Sequence, residues 1–146
     1  MPSGSSIDLL LPENIPLRLN DVPIDHLKEH ENVESSRVDY LAESIREKGL
    51  YTPILIDLRT NMIIDGHHRV NAFRKMGIGS IPALHIDYGD PRLVMKSGNG
   101  LTKEKVLNIV KSGGKLPKKS TFHFLRIGNR LVHVSAIMNF VREAVR

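Results

Sequence analysis

At 146 residues, with 40% hydrophobic and 25% charged content, the chain has the make-up of one globular domain with a single core. Lysine and arginine outnumber aspartate and glutamate by 21 to 16, and the resulting charge of +5 suits an anionic partner, either nucleic acid or a phosphorylated small molecule. No run approaches the ~20 apolar residues of a membrane span. The absence of cysteine excludes disulfides, thiolate metal sites and thiol catalysis, and it fits a cytoplasmic protein.

Residues 1–14 are expected to form a flexible N-terminal segment. It opens on Met-Pro-Ser-Gly-Ser-Ser, without the charged and apolar regions of a signal peptide. A single domain is expected over residues 15–146. Ile15 to Leu19, carrying Pro16, reads as an edge strand, and residues 21–31 as a short strand or turn leading into a loop that ends at His30-Glu31. Ser35-Ser36 is an N-cap signal for a helix in which Val38, Leu41, Ala42 and Ile45 share a face, stopped at Gly49. Thr52–Leu58 reads as a buried strand, Arg59-Thr60-Asn61 as a turn, and Met62–Ile64 as a second strand able to pair with the first.

The next stretch is the densest in chemistry. The chain turns at Asp65-Gly66 and continues from His67 to Met76 with apolar residues three apart (Val70, Phe73, Met76), and Gly77 closes the helix. A strand that turns through glycine into a helix leaves backbone amides unpaired and aimed at one spot. Asp65, His67, His68 and Arg69 flank that spot, so amides and cations can hold a phosphate while Asp65 handles Mg²⁺, directly or through water. His67 and His68 are adjacent, about 100° apart on a helix, and do not form a zinc site by themselves.

Ile81–Asp87 reads as a strand in which His85 is structural, residues 88–100 as a loop able to serve as a lid, and Thr102–Ser112 as a helix ended by Gly113-Gly114. A basic, hydroxyl-bearing segment runs from Lys115 to His123. Phe122–Ile127 and Leu131–Val134 form a hairpin about Gly128-Asn129, and Ser135 caps a last helix. The alternation of strands and helices makes this a mixed α/β (α+β) fold. Three polar segments, the Glu31 loop, the Asp65–Arg69 turn and residues 119–123, each suit phosphoryl transfer. Glu31 can take the proton of an alcohol, Gly66, His67, His68 and Arg69 can hold phosphates, and Lys119, Thr121 and His123 can hold an anionic substrate group.

Ile63-Ile64-Asp65-Gly66-His67-His68-Arg69, preceded by residues 49–57 (GLYTPILID), resembles the core of the ParB/sulfiredoxin-like superfamily. With the upstream His30-Glu31, the form is similar to the free serine kinase branch. Leu101-Thr102-Lys103-Glu104 and residues 116–123 (LPKKSTFH) resemble that branch's later segments. The resemblance implies a single domain with a small mixed sheet flanked by helices. It also implies a kinase moving the terminal phosphate of ATP or ADP, with Mg²⁺, to the hydroxyl of free L-serine to give O-phospho-L-serine. Glu31 would activate the hydroxyl and Asp65 would be the second catalytic carboxylate. Gly66, His67, His68 and Arg69 would line the phosphate site, and Lys119, Thr121 and His123 would contact serine or its phosphate. Phe122 stands where the branch usually has arginine. Free serine and an adenine nucleotide are the implied partners, with no membrane.

The competing class is a ParB-like partition or transcription-associated protein that binds nucleotide and DNA. Its phosphate loop is usually arginine-rich, and no helix-turn-helix follows this core. Sulfiredoxin chemistry needs a cysteine that this chain lacks.

Overall fold

The computed structural model describes residues 6–49, 51–117 and 120–144. In chain order the elements are β1 (Ile7–Leu11), β2 (Ile15–Pro23), α1 (Ser35–Lys48), β3 (Ile54–Asp57), β4 (Ile63–Asp65), α2 (His67–Lys75), β5 (Ser80–Ile86), β6 (Leu93–Lys96), α3 (Lys103–Lys111), β7 (Phe122–Ile127), β8 (Arg130–His133) and α4 (Ile137–Ala144). Five strands form a mixed sheet in the order β1-β2-β5-β3-β4, in which only β3 and β5 run parallel. The last three strands form an antiparallel sheet, β6-β7-β8. Parallel neighbours need a crossover, and β4 with α2 provides it.

β3 is buried at all four positions because both faces of the sheet are covered, which explains its unbroken apolar run. Strand alternation then divides it. Ile54 and Ile56 join Val38, Ala42, Ile45, Val70 and Phe73 in a core beneath α1 and α2. Leu55 joins Leu84, Ile86, Leu93, Val106 and Leu125 in a second core that extends to α3, α4 and the three-stranded sheet. The site lies where these two cores meet. Among the described residues, no helix is long and apolar enough to cross a membrane.

The expected β3–β4 hairpin, the helix after Gly66 and the β7–β8 hairpin are all present. Five expectations change. Ile15–Pro23 is not an edge strand, because it lies between β1 and β5, its prolines notwithstanding. Residues 7–14 are not a flexible segment: Ile7–Leu11 pairs antiparallel with β2, and Leu9 and Leu11 are buried. The 88–100 stretch is not wholly a loop, since Leu93–Lys96 pairs with β7. α1 starts at Ser35 after an uncapped Glu34, so the two serines lie inside the helix. Ser135 does not cap the last helix; it sits in the 3-10 turn Val134–Ala136, where its own amide donates to His133 Nδ1 at 3.0 Å.

The placement of β1 is directly testable. Leu11 is 2% exposed against the second core. Leu11→Ala is expected to lower stability by about 2–4 kcal/mol in urea unfolding, as for other buried leucines. A dispensable tail would show no change.

Candidate functional site

The site begins with a tight backbone approach. Gly66 joins β4 to α2 at φ 116°, and a Cβ built on it would come within 2.5 Å of Ile54 Cγ2. The position therefore needs glycine for its conformation and for its lack of a side chain. Arg69, one turn into α2, fastens the junction. Its Nη1 donates to the Thr52 and Pro53 carbonyls, at 2.7 Å each, and to the Thr52 hydroxyl at 2.6 Å; its Nη2 donates to Asp65 Oδ2 at 3.2 Å. This guanidinium is expected among the phosphate ligands; its Nη1 and one Nη2 contact already go to the protein itself.

Glu31 reaches the same corner by long-range pairing. Lys28 bridges to Met62 at the start of β4, and Glu31 bridges to Leu116. The Leu116 amide donates to the His30 carbonyl and the Asn32 amide to the Leu116 carbonyl. Glu29 anchors the segment further, accepting from Asn71 at 2.7 Å and pairing with Arg74 and Lys115. The Ser120 amide donates to Glu31 Oε1 at 3.0 Å, so the segment expected to hold substrate also fixes the carboxylate.

Histidines make up the rest of the lining. The His30 amide donates to His67 Nε2 and the Glu34 amide to His68 Nε2, each at 3.2 Å. An amide can only donate, so both rings accept at Nε2 and carry their proton on Nδ1. His67 Nδ1 faces Glu31 Oε2 at 3.8 Å. His30, Glu31 and His67 bring ligand atoms within 4.8 Å of one another, the one such trio among the described residues. With a proton on Nδ1 and an amide on Nε2, however, His67 has no lone pair left for a metal. Its Nδ1–H is instead directed at the Glu31 carboxylate. His30 Nε2 lies 3.4 Å from Thr121 Oγ1, and His123 Nε2 lies 3.0 Å from the Tyr88 hydroxyl. Burial pulls His30 down to about 4 and His123 to about 3, and burial also holds His67 well below the usual range, so these three rings are neutral near pH 7.

Two cavities share this corner. One, of about 390 Å³, is lined by Glu31, Asp65, Gly66, His67, His68, Thr121 and His123 with Arg37, Phe122, His133 and Ser135. The other, of about 610 Å³, runs over Asp65–Arg69 onto an apolar wall that includes Leu41, Ile45, Tyr51, Pro53 and Met138. The fold thus brings seven expected site residues to one cavity and Arg69 to its neighbour; Lys119 lies outside the described residues. Sequence reasoning missed His30, Arg37, Tyr88, His133 and Ser135. Apart from His30, which the His30-Glu31 pair already marked, no local pattern points to them, because only the fold brings them to the corner. A wider concavity of about 1030 Å³ lies elsewhere, on the face of β1 and β2. There His85 Nε2 lies 2.6 Å from Asn20 Oδ1, consistent with its expected structural role.

This architecture, a mixed sheet with a strand–glycine–helix junction at its working edge, is the fold of the ParB/sulfiredoxin-like proteins. A solved structure described as a free serine kinase in complex with AMP superposes with a TM-score of 0.68 at 16% identity, covering 79% of this chain and 90% of that one. Residues 13–96 match the ParB N-terminal domain, and the chain belongs to that family. A ParB-like protein of Sulfolobus acidocaldarius is 36% identical over 73 residues, which are 50% of this chain and 37% of the relative. An ATP-dependent L-serine kinase of Staphylothermus marinus is 32% identical over 81 residues, 52% of this chain and 32% of the relative. The chain spans about a third of the length of these curated relatives.

Two stability measurements probe the site. Gly66→Ala forces a side chain into a left-handed turn and against Ile54, and a loss of about 2–4 kcal/mol is expected in urea unfolding; an unchanged midpoint would mean the approach is not tight. His30 and His123 have folded pKa values below the unfolded 6.5, so the unfolded chain binds more protons as pH falls from 6.5 towards 4 and 3. Each should therefore remove about 2 kcal/mol of stability between pH 7 and pH 5. Stability that rises over that interval would contradict the burial of neutral rings.

Proposed function

We propose that the chain is a small-molecule kinase, transferring the terminal phosphate of ATP or ADP to the hydroxyl of free L-serine. The single observation carrying this reading is that Glu31 and the Asp65–His68 turn line one cavity that adjoins a second, partly apolar one. Phosphoryl transfer requires this kind of division: an apolar pocket for the donor's base, a corner of amides and charges for its phosphates, and a carboxylate beside an acceptor pocket. The likeness to a serine kinase of S. marinus supports the choice of acceptor. The structural neighbour with AMP supports an adenine nucleotide.

In this reading the base rests against Leu41, Ile45, Pro53 and Met138, and the phosphates lie over the first turn of α2. Thr121 and His123, with Lys119, hold serine opposite. Glu31 takes the hydroxyl proton as the serine oxygen bonds to the terminal phosphorus. The bond from that phosphorus to the bridging oxygen breaks, and the nucleotide leaves one phosphate shorter. Asp65 is a third exposed, and among the described residues only its Oδ2 is engaged, which fits a carboxylate able to hold Mg²⁺ directly or through water. The ion, when bound, offsets phosphate charge.

Incubation with L-serine, Mg²⁺ and ATP or ADP should yield O-phosphoserine, read by ³¹P NMR. Glu31→Gln can keep the Ser120 bond through its amide oxygen while losing the base, and Asp65→Asn removes the second carboxylate. Each is expected to cut turnover by about 10²-fold or more with the thermal midpoint held within a few degrees. Wild-type rates in both variants would defeat the assignment. No product with either donor, together with tight binding of duplex DNA in a gel shift, would favour the partition-type class.

A further inference from the structure

Among the described residues, the two cavities hold little uncommitted positive charge. Glu31 and Asp65 are acids, His67 and His123 are held neutral by burial, and Arg69 is tied to Asp65, Thr52 and Pro53. Two lysines lie close enough to influence the histidines, yet both are committed elsewhere. Lys115 pairs with Glu29 at 3.5 Å, and Lys103 donates to the Tyr88 and Asp90 carbonyls at 2.7 and 3.1 Å. Among the described residues, a nucleotide's phosphates would thus meet Glu31 and an Asp65 already paired with Arg69, with little free positive charge beside them.

Among the described residues lining the two cavities, Arg37 is the cation without a partner. It stands in the first turn of α1, exposed, with no hydrogen bond or ion pair, and it lines both cavities where they join at Asp65–His68. The neighbouring side chains of its helix do different work: Val38, Ala42 and Ile45 are buried in the core, while Leu41 and Ser44 continue the wall of the larger cavity. Geometry and charge therefore select Arg37 over Arg69.

We propose that Arg37 is the residue that binds the donor's phosphate chain, while the Arg69 of the sequence motif is a structural fastening. The proposal rests on the kinase reading and adds to it a cation for the donor's phosphates. A guanidinium is suited to the task because it stays charged and presents a fork of donors to phosphate oxygens. Its position where the cavities meet places it against the phosphate being passed from donor to acceptor, where the charge moves.

Titration calorimetry of the full chain with ATP, ADP and adenosine tests this. Arg37→Ala should weaken ATP and ADP by about 10- to 100-fold, the range for a lost hydrogen bond to a charged group. Adenosine should change less than about twofold, since it lacks the phosphates, and Arg37→Lys should recover part of the loss. The thermal midpoint should hold, because the side chain is exposed. Arg69→Ala, by contrast, should lower the midpoint. Binding of ATP and ADP by Arg37→Ala at wild-type strength would overturn the assignment. So would an equal loss for adenosine, which would make Arg37 a shaper of the pocket. If the wild-type chain binds neither nucleotide, the kinase reading fails first and takes this inference with it.

Discussion

The contact between Gly66 and Ile54 determines where everything else in the site can be. Because the turn is pressed against β3 with no room for a Cβ, α2 must start there, and its first residues must face the corner where the sheet ends. Arg69 reinforces the geometry by binding the chain on the other side, at Thr52 and Pro53. Two neighbouring strands and a helix are thereby fixed over a few residues. His67 and His68 then receive amides from the Glu31 loop, so that the loop is built onto the junction and not merely near it.

Neutral histidines fit this arrangement. A charged imidazole in the corner would pair with Glu31, the carboxylate proposed as the base. A neutral ring with its proton on Nδ1 can still face that proton toward the carboxylate without forming an ion pair with it. Burial achieves this by disfavouring the charged ring. The cost is a site whose stability falls in mild acid, and the gain is a corner whose charge is set by carboxylates, arginine and whatever ligand enters.

Much of the junction was legible in the sequence, because its signals are local. A short apolar run, a glycine and then a three-residue apolar spacing lie within one stretch from Met62 to Met76. Glu31 was legible as a candidate acid, but its neighbours were not, since its place depends on pairing with Leu116, 85 positions later in the chain. β6 was hidden because Leu93–Lys96 is only four residues long and sits among glycines and a proline, so nothing short of its partner β7 identifies it. β1 was hidden because an apolar run beside a proline is equally compatible with a loose end. The two arginines show the limit most clearly. Arg69 adjoins the motif in sequence and spends its donors on the scaffold, whereas Arg37 is about thirty positions away and faces the cavity.

The site also crosses the boundary of the family match. Residues 13–96 supply Glu31, Arg37 and the Asp65–His68 turn, the residues proposed to face a phosphate. Thr121, His123, His133 and Ser135 come from beyond it, carried by the three-stranded sheet and the turn after it. That second sheet packs into the same core as β1 and β2, so it is fixed relative to the phosphate corner and closes the cavity's far wall. Under the proposed kinase reading, the part of the chain that matches the family would hold the nucleotide and the three-stranded sheet would wall the acceptor. On that view the Ser120 amide on Glu31 is where the two halves are joined: the wall that receives the acceptor also aims the base at it.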